Sequence, residues 1–440
     1  MNYSKFLQNI ILPFGDVINK SSFIKSLKYW RQVDNYSAEE LSNLQKENLK
    51  KILVNAIENV PFYKNIDLVG HNPENWLKQF PILTKKILNN NTKSLINKKS
   101  KGLIEYRSSG SSGVQSTIYM NKEEQAITRS ILIRWWEWAG YNIGDHLIQT
   151  GITPKRGFLK SIKDIVFNTL YINAFSLSDN DVIKVLEKIN NSKYSFTIAG
   201  YASSLNVFAE VAIKYNYKIE LKIAISFGDK LFSHYRKNVQ EAFKCKVFDT
   251  YGCSEGLLIA SEKDLKYKYI FSPHVYLEIL DDNNEPVPDG IMGNVVCTRL
   301  DGFSMPLIRY RIGDLAIKLP KEKYPPQRDL NYPLLQQVVG RETDTVKTIN
   351  GKTLIVHSFT GIFEYISEIR QFKVYQYNKE GIVIHFIKSK GFSNKVLKNI
   401  TLELQKIIED SSFTIDYKEV DYIKPSKSGK PQMIESRLKE

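Results

Sequence analysis

The sequence predicts an α/β protein: a large N-terminal domain of α/β sheets with a β-rich subdomain, followed by a small α+β domain at the C-terminal end. Three observations carry this. From about 100 to 270, short apolar strand-like runs alternate with amphipathic helices, the pattern of a sheet with helices on its faces. From about 271 to 340, turn residues separate strand-like runs and helical periodicity fades. The last ~100 residues have strand and helix periods of their own, enough for a separate unit. At 440 residues, 42% hydrophobic and 12% aromatic, the chain is long for one core and rich enough to fill two.

Residues 1–95 form a helical lead. Its longest helix, L-S-N-L-Q-K-E-N-L-K-K-I-L-V-N-A-I at 41–57, places Leu41, Leu44, Leu49, Ile52 and Leu53 near one face, and Pro61 stops it. The α/β region spans 96–270. Its first strands, L-I-E-Y-R and V-Q-S-T-I-Y-M, flank the run R-S-S-G-S-S-G at 107–113. Ile127, Ile131, Trp135 and Trp138 share a helical face of the kind that packs into a core. K-Y-S-F-T-I-A-G at 193–200 and L-K-I-A-I-S-F-G at 221–228 read as further strands. The β-rich subdomain, 271–343, contains Y-L-E-I-L and G-N-V-V-C-T-R-L separated by D-D-N-N-E-P-V-P-D-G. The last domain, 344–440, includes a helix over 396–408, and the boundary falls at Asp344.

Charge and cysteine usage narrow the setting. The 62 Lys+Arg against 47 Asp+Glu give +15, which suits an anionic partner: nucleic acid, an acidic membrane surface or a phosphorylated small molecule. The lysines are scattered among Asn and Ile, as an AT-rich genome produces, and no basic stripe interleaves with aromatics, so no nucleic acid is expected. Cys245, Cys253 and Cys297 form no disulfide or zinc pattern, which points to a reducing compartment. The N-terminal segment lacks the apolar core and cleavage site of a signal peptide, and no run of ~20 apolar residues would span a membrane. The expectation is a cytoplasmic protein, with peripheral contact at an inner membrane left open and oligomeric state undetermined.

Five stretches carry chemistry. In R-S-S-G-S-S-G, a bend between strands offers unpaired backbone N–H groups and the hydroxyls of Ser108, Ser109, Ser111 and Ser112, a setting for polyphosphate. It is not a Walker A loop, since the first lysine beyond it is Lys122, and by itself this composition is more often a surface turn. F-D-T-Y-G-C-S-E-G at 248–256 adds an aromatic face at Tyr251 and a carboxylate at Glu255 suited to Mg2+. P-L-I-R-Y-R-I-G-D-L-A at 306–316 supplies Asp314, able to accept both hydroxyls of a ribose. V-V-G-R-E-T-D-T-V-K at 338–347 lies at the domain boundary. K-P-S-K-S-G-K-P-Q at 424–432 sets Lys430 on a glycine-containing turn.

In this order the five resemble the signatures S/T-S-G-T/S-T-G, Y-G-x-S/T-E, Y-R-T-G-D, G-R-x-x-D and S-G-K of the adenylate-forming enzymes, over nearly the whole chain. The front end, N-L-K-K-I-L-V-N-A-I-E-N-V-P-F-Y-K followed by F-P-I-L-T-K-K, is similar to phenylacetate-CoA ligases and relatives encoded with capsule and O-antigen genes.

The resemblance implies ATP-dependent conversion of a carboxylic acid to acyl-AMP and pyrophosphate, then acyl transfer. Coenzyme A is the default acceptor; an amino sugar or carrier protein, or a catalytically inactive nucleotide-binding scaffold, stays open. It implies that Ser108, Ser109, Gly110, Ser111, Ser112 and Gly113 hold the β- and γ-phosphates and that Glu255 ligates Mg2+. Tyr251 with Phe227, Gly228 and Asp229 would border the adenine, with Thr250, Gly252 and Ser254 in the same nucleotide set. Asp314, helped by Arg341, would hold the ribose. Lys430 would bridge the attacking carboxylate and the α-phosphate, so that Lys430, Glu255 and Arg341 form the catalytic set. Asp344 would be the hinge on which a mobile C-terminal domain turns. Position relative to the motifs puts the acyl pocket at Ile152, Ala199, Gly200, Tyr201 and Phe227. Two departures stand out: Gly113 is followed by V-Q-S-T with no loop lysine, and Asp229 stands where relatives commonly have Glu. His274 reads as a satisfied structural histidine.

Overall fold

An eleven-stranded sheet organises the large domain. The computed structural model describes residues 3–107, 116–151, 157–173, 179–341, 345–350, 353–363, 366, 368–389, 391–423, 433–436 and 438. One half of the sheet is parallel: Thr169–Asn173, His146–Gly151, Phe196–Tyr201, Ile223–Phe227 and Lys246–Cys253 lie side by side in that order. Such strands are covered on both faces, which is why Ile223–Phe227 and Phe196–Tyr201 are buried along almost their whole length. Beyond Lys246–Cys253 the sheet turns antiparallel, through Leu257–Ser261, Lys268–Ile270, Leu334–Arg341, Tyr310–Lys318, Met292–Arg299 and Val275–Leu280. The antiparallel texture therefore begins at Leu257, earlier than the change expected near 271, and it continues the same sheet.

Helices pack on this sheet where their apolar faces require it. Ala38–Asn59 starts at Ser37, whose hydroxyl accepts from the Glu40 N–H while the Glu40 carboxylate accepts from the Ser37 N–H. Its buried side chains Leu41, Leu49, Ile52, Leu53 and Ala56 include four of the residues the spacing selected. Lys122–Ala139 is started in the same way by Asn121 and Glu124, and it buries Trp135 and Trp138 against Phe271 and Tyr332. These tryptophans are core, as their face predicted.

The helical lead grips the far end of the sheet. Leu83 forms a bridge with Tyr310, the Arg309 guanidinium donates to the Phe80 carbonyl at 3.3 Å, and the Tyr63 hydroxyl donates to the Pro306 carbonyl at 3.3 Å. Asn97 adds a bond from its amide to the Phe303 carbonyl at 3.1 Å. The segment F-P-I-L-T thus serves as a brace under the strand that contains Asp314.

The small domain has its own core. A four-stranded sheet, Thr414–Glu419, Gly381–Lys388, Ile369–Asn378 and Ile434–Ser436, is covered by Asn394–Ile408, whose Ile400, Leu404 and Ile408 are buried with Val374, Ile384 and Phe386. Gln376, fully buried in that sheet, exchanges two hydrogen bonds with the backbone of Lys347, tying strand Thr345–Lys347 to this domain. From the large domain, Phe232 packs against the same core.

Candidate active site

The nucleotide motifs meet where the parallel strands end. In open α/β sheets ligands bind beyond the C-terminal ends of parallel strands. There Tyr201 pairs with Phe227, Gly200 with Ser226 and Ser226 with Asp249. The Thr250 hydroxyl donates to the Ser226 carbonyl at 2.9 Å and the Ser226 hydroxyl to Asp249 at 2.8 Å, fixing the two strand ends together.

Glu255 sits in the turn between Lys246–Cys253 and Leu257–Ser261 and is 4% exposed. Its carboxylate accepts from the Tyr310 hydroxyl at 3.1 Å and the Ser254 hydroxyl at 3.2 Å. Both donors are neutral, and among the described residues no lysine, arginine or histidine makes an ion pair with it. A buried carboxylate without a cation is costly, so the group fits a metal ion. Among the described residues no cluster of three His, Cys, Asp or Glu side chains could cage one. That suits Mg2+, which takes one or two carboxylates and completes its shell with water and substrate phosphates. Burial and the nearby Glu255 carboxylate together push the Cys253 thiol well up, so it stays a neutral thiol. Gly252 lies between Tyr251 and Cys253, opposite Leu258 across the hairpin.

Tyr251 and Asp314 belong to one arrangement. The Tyr251 hydroxyl donates to Asp314 at 2.8 Å, and the Tyr251 ring is buried in the core that the helical lead completes. Asp314 is the cross-strand neighbour of Arg341, which brings the ribose candidate beside its helper by backbone register. The Tyr251 face foreseen for the adenine is thus enclosed in this structure, with its hydroxyl committed to Asp314.

The F-G-D segment forms the opposite wall. Gly228 has φ +84°, and a Cβ there would come within 2.6 Å of the Tyr201 ring, so the chain bends at the only residue type that fits. Asp229 turns back to the start of helix Ala202–Lys214, where its carboxylate accepts from the Ala202 N–H at 2.5 Å and the Ser203 N–H at 3.2 Å. It therefore caps a helix and neutralises that helix's positive end. Tyr201 and Phe227 lie 5.7 Å apart, and burial raises the Tyr201 phenol to about 12, which keeps it a neutral hydroxyl. Ala199, in strand Phe196–Tyr201, is buried in the same core cluster as Trp136.

Sequence reasoning missed several residues here. Trp136 lies almost parallel to Phe227 at 6.5 Å, and Thr150 accepts from the Tyr201 N–H at 3.2 Å. Tyr310 was in view only as a letter of the Asp314 motif, yet it touches Glu255. A buried network also supports the Glu255 turn. His274 is fully buried; its Nδ1 meets Asp301 at 2.5 Å and its Nε2 accepts from the Leu258 N–H at 3.2 Å. Arg299 donates to the other Asp301 oxygen at 2.8 Å, to Met120 and to helix Lys122–Ala139. Burial would raise the Asp301 carboxyl, but His274 and Arg299 hold it at about 2, so it is an anion at neutral pH. His274 is structural, as its sequence context suggested.

Ser108, Ser109, Gly110, Ser111, Ser112, Gly113, Ile152, Asp344 and Lys430 lie outside the described residues, and Arg341 is described by its backbone alone. The strands that flank the serine-rich loop do form a hairpin, Ile104–Arg107 against Thr117–Met120.

A solved structure of 2-hydroxyisobutyryl-CoA ligase, in the postadenylation state with R3-HIB-AMP, matches with a TM-score of 0.71 at 17% identity, covering 92% of each chain. ATP-bound MatB from Rhodopseudomonas palustris matches with a TM-score of 0.54 at 12% identity, over 74% of this chain and 66% of that one. The fold is that of the adenylate-forming ligases. No family model matches the chain. Among curated proteins it is 24% identical over 311 residues to phenylacetate-coenzyme A ligase of Thermus thermophilus, covering 66% of this chain and 68% of that one. It is 28% identical over 331 residues to phenylacetate-coenzyme A ligase of Aromatoleum evansii, covering 71% and 73%. The chain is thus similar in sequence to the phenylacetate-CoA ligases and in fold to the adenylate-forming ligases.

Proposed function

We propose that this enzyme activates a compact carboxylic acid with ATP, forming acyl-AMP and pyrophosphate, and passes the acyl group to coenzyme A in the cytoplasm. The observation that carries the reading is Glu255: a buried carboxylate that accepts from neutral hydroxyls and, among the described residues, pairs with no cation, near the Tyr251–Asp314 pair and the backbone of Arg341. Mg2+, when bound, would offset phosphate charge. Asp314 accepts the ribose hydroxyls, and Tyr251 keeps that carboxylate aimed. Tyr201 and Phe227, 5.7 Å apart at the strand ends, border the acyl group, and two rings so close suit a short or flat acid better than a long chain. Lys430 approaches from the small domain, where its charge offsets the developing negative charge between carboxylate and α-phosphate. The serine-rich loop holds the outer phosphates through backbone N–H and hydroxyl groups alone, so ATP binding is weaker than in a loop with lysine.

Exchange of labelled pyrophosphate into ATP across a panel of carboxylic acids tests this. Exchange with at least one acid is expected, with Glu255→Gln and Lys430→Ala each lowering it by about 10²–10³-fold. Exchange with no acid would leave a nucleotide-binding scaffold in its place. Loss of free coenzyme A thiol in the coupled assay identifies the acceptor; exchange without thiol loss would redirect the second step to an amine, such as an amino sugar of surface polysaccharide synthesis, or to a carrier protein.

A further inference from the structure

The first helical segments of the chain are apolar on two sides. Leu7, Ile11 and Leu12 turn into the core beneath the parallel strands, and Leu7 is fully buried. Ile10, Phe14, Val17 and Ile18, at spacing i, i+4, i+7 and i+8, form a second stripe that is 48, 65, 77 and 63% exposed. The Tyr3 hydroxyl donates to the Val166 carbonyl at 2.6 Å, which sets this lead beside helix Phe158–Val166. That helix exposes Ile162 and Ile165 in turn. Soluble proteins seldom leave such neighbouring apolar faces uncovered without a partner.

The charges on these segments are mostly basic. Lys5, Lys20, Lys25, Lys28, Lys160 and Lys163 are all exposed. Asp16, the one acid among residues 3–33, is turned inward, where it accepts from the Ser21 hydroxyl at 2.5 Å, the Phe23 N–H at 3.2 Å and the Ile24 N–H at 2.8 Å. On helix Phe158–Val166 the one acid is Asp164. A second copy docking patch to patch by two-fold symmetry would bring these lysines against one another. An anionic bilayer answers both demands, taking the apolar stripe into the headgroup boundary and the lysines at its phosphates.

We propose that this face docks the enzyme on an anionic membrane surface, lying in the interface without crossing it. No described helix is long and apolar enough to span a bilayer. Flotation of the full chain with vesicles of mixed phosphatidylglycerol and phosphatidylcholine, and with phosphatidylcholine alone, tests it. Binding to the mixed vesicles and release at raised salt are expected. The combined variant Phe14→Glu, Val17→Glu, Ile18→Glu should bind about tenfold less, with unchanged pyrophosphate exchange and thermal midpoint. Should that variant fold poorly, Lys5→Gln, Lys20→Gln, Lys160→Gln, Lys163→Gln should lose the preference for phosphatidylglycerol. The proposal is overturned by wild-type protein that ignores the mixed vesicles, by equal binding to both vesicle types, or by a folded variant that binds as wild type. A wild-type dimer that the apolar variant splits, without vesicle binding, would assign the patch to a second copy.

Discussion

His274 holds the turn that presents the candidate metal ligand Glu255. Its Nε2 takes the Leu258 N–H just past the Glu255 turn, and its Nδ1 bonds to Asp301, which Arg299 also grips. Gly256 in that turn has φ +83°, and a Cβ there would lie 2.7 Å from the Arg299 guanidinium, so turn and network interlock. Replacing His274 with Ala orphans a buried N–H and should cost about 1–3 kcal/mol in denaturant unfolding. Because Glu255 loses its fixed turn, the KM for MgATP should rise several-fold while kcat changes less; a stability loss with unchanged KM would make the histidine a packing residue only. Glu255 and Asp314 were legible as candidates because residue type and local spacing single them out. The His274–Asp301–Arg299 network was not, because it joins residues from separate strands with Met120 and helix Lys122–Ala139, and no local pattern records such a pairing.

Among the elements, strand Tyr310–Lys318 depends most on distant partners. Arg309, immediately before it, has φ +48°, which a non-glycine residue adopts only when its surroundings hold it there. Here they do: the guanidinium is paired with Glu278 at 3.1 Å and bonded to the Phe80 carbonyl of the helical lead. Burial raises the Glu278 carboxyl, with Arg309 opposing that rise. Arg309→Met should therefore destabilise by about 3–5 kcal/mol, since it strands a buried acid, and adding Glu278→Gln should restore a large part of the loss. Additive losses in the double variant would show that backbone geometry, not the ion pair, is what Arg309 supplies. Strand runs and helix faces were readable from period alone. The union of parallel and antiparallel halves in one sheet was not, because Lys246–Cys253 pairs with Ile223–Phe227 on one side and Leu257–Ser261 on the other, and periodicity does not name partners.

At the scale of the whole molecule, the small domain has its own core and Gln376 anchors strand Thr345–Lys347 to it, so the proposed hinge at Asp344 would turn the domain as one body. Phe232, four residues after the Gly228 bend, packs from the large domain against that core, so the proposed adenine wall lies close in sequence to a contact with the small domain. In the proposed role, Lys430 is needed only while ATP is being attacked. Lys430→Ala should therefore abolish pyrophosphate exchange yet leave acyl transfer from a supplied acyl-adenylate nearly intact. Phe232→Ala should act differently: it weakens one docked arrangement without removing a charge, so exchange should fall by about tenfold or less and transfer should hold or quicken. Equal losses of both steps in Lys430→Ala would mean that the lysine supports the fold of the small domain, and that rotation about Asp344 does not divide the reaction in two.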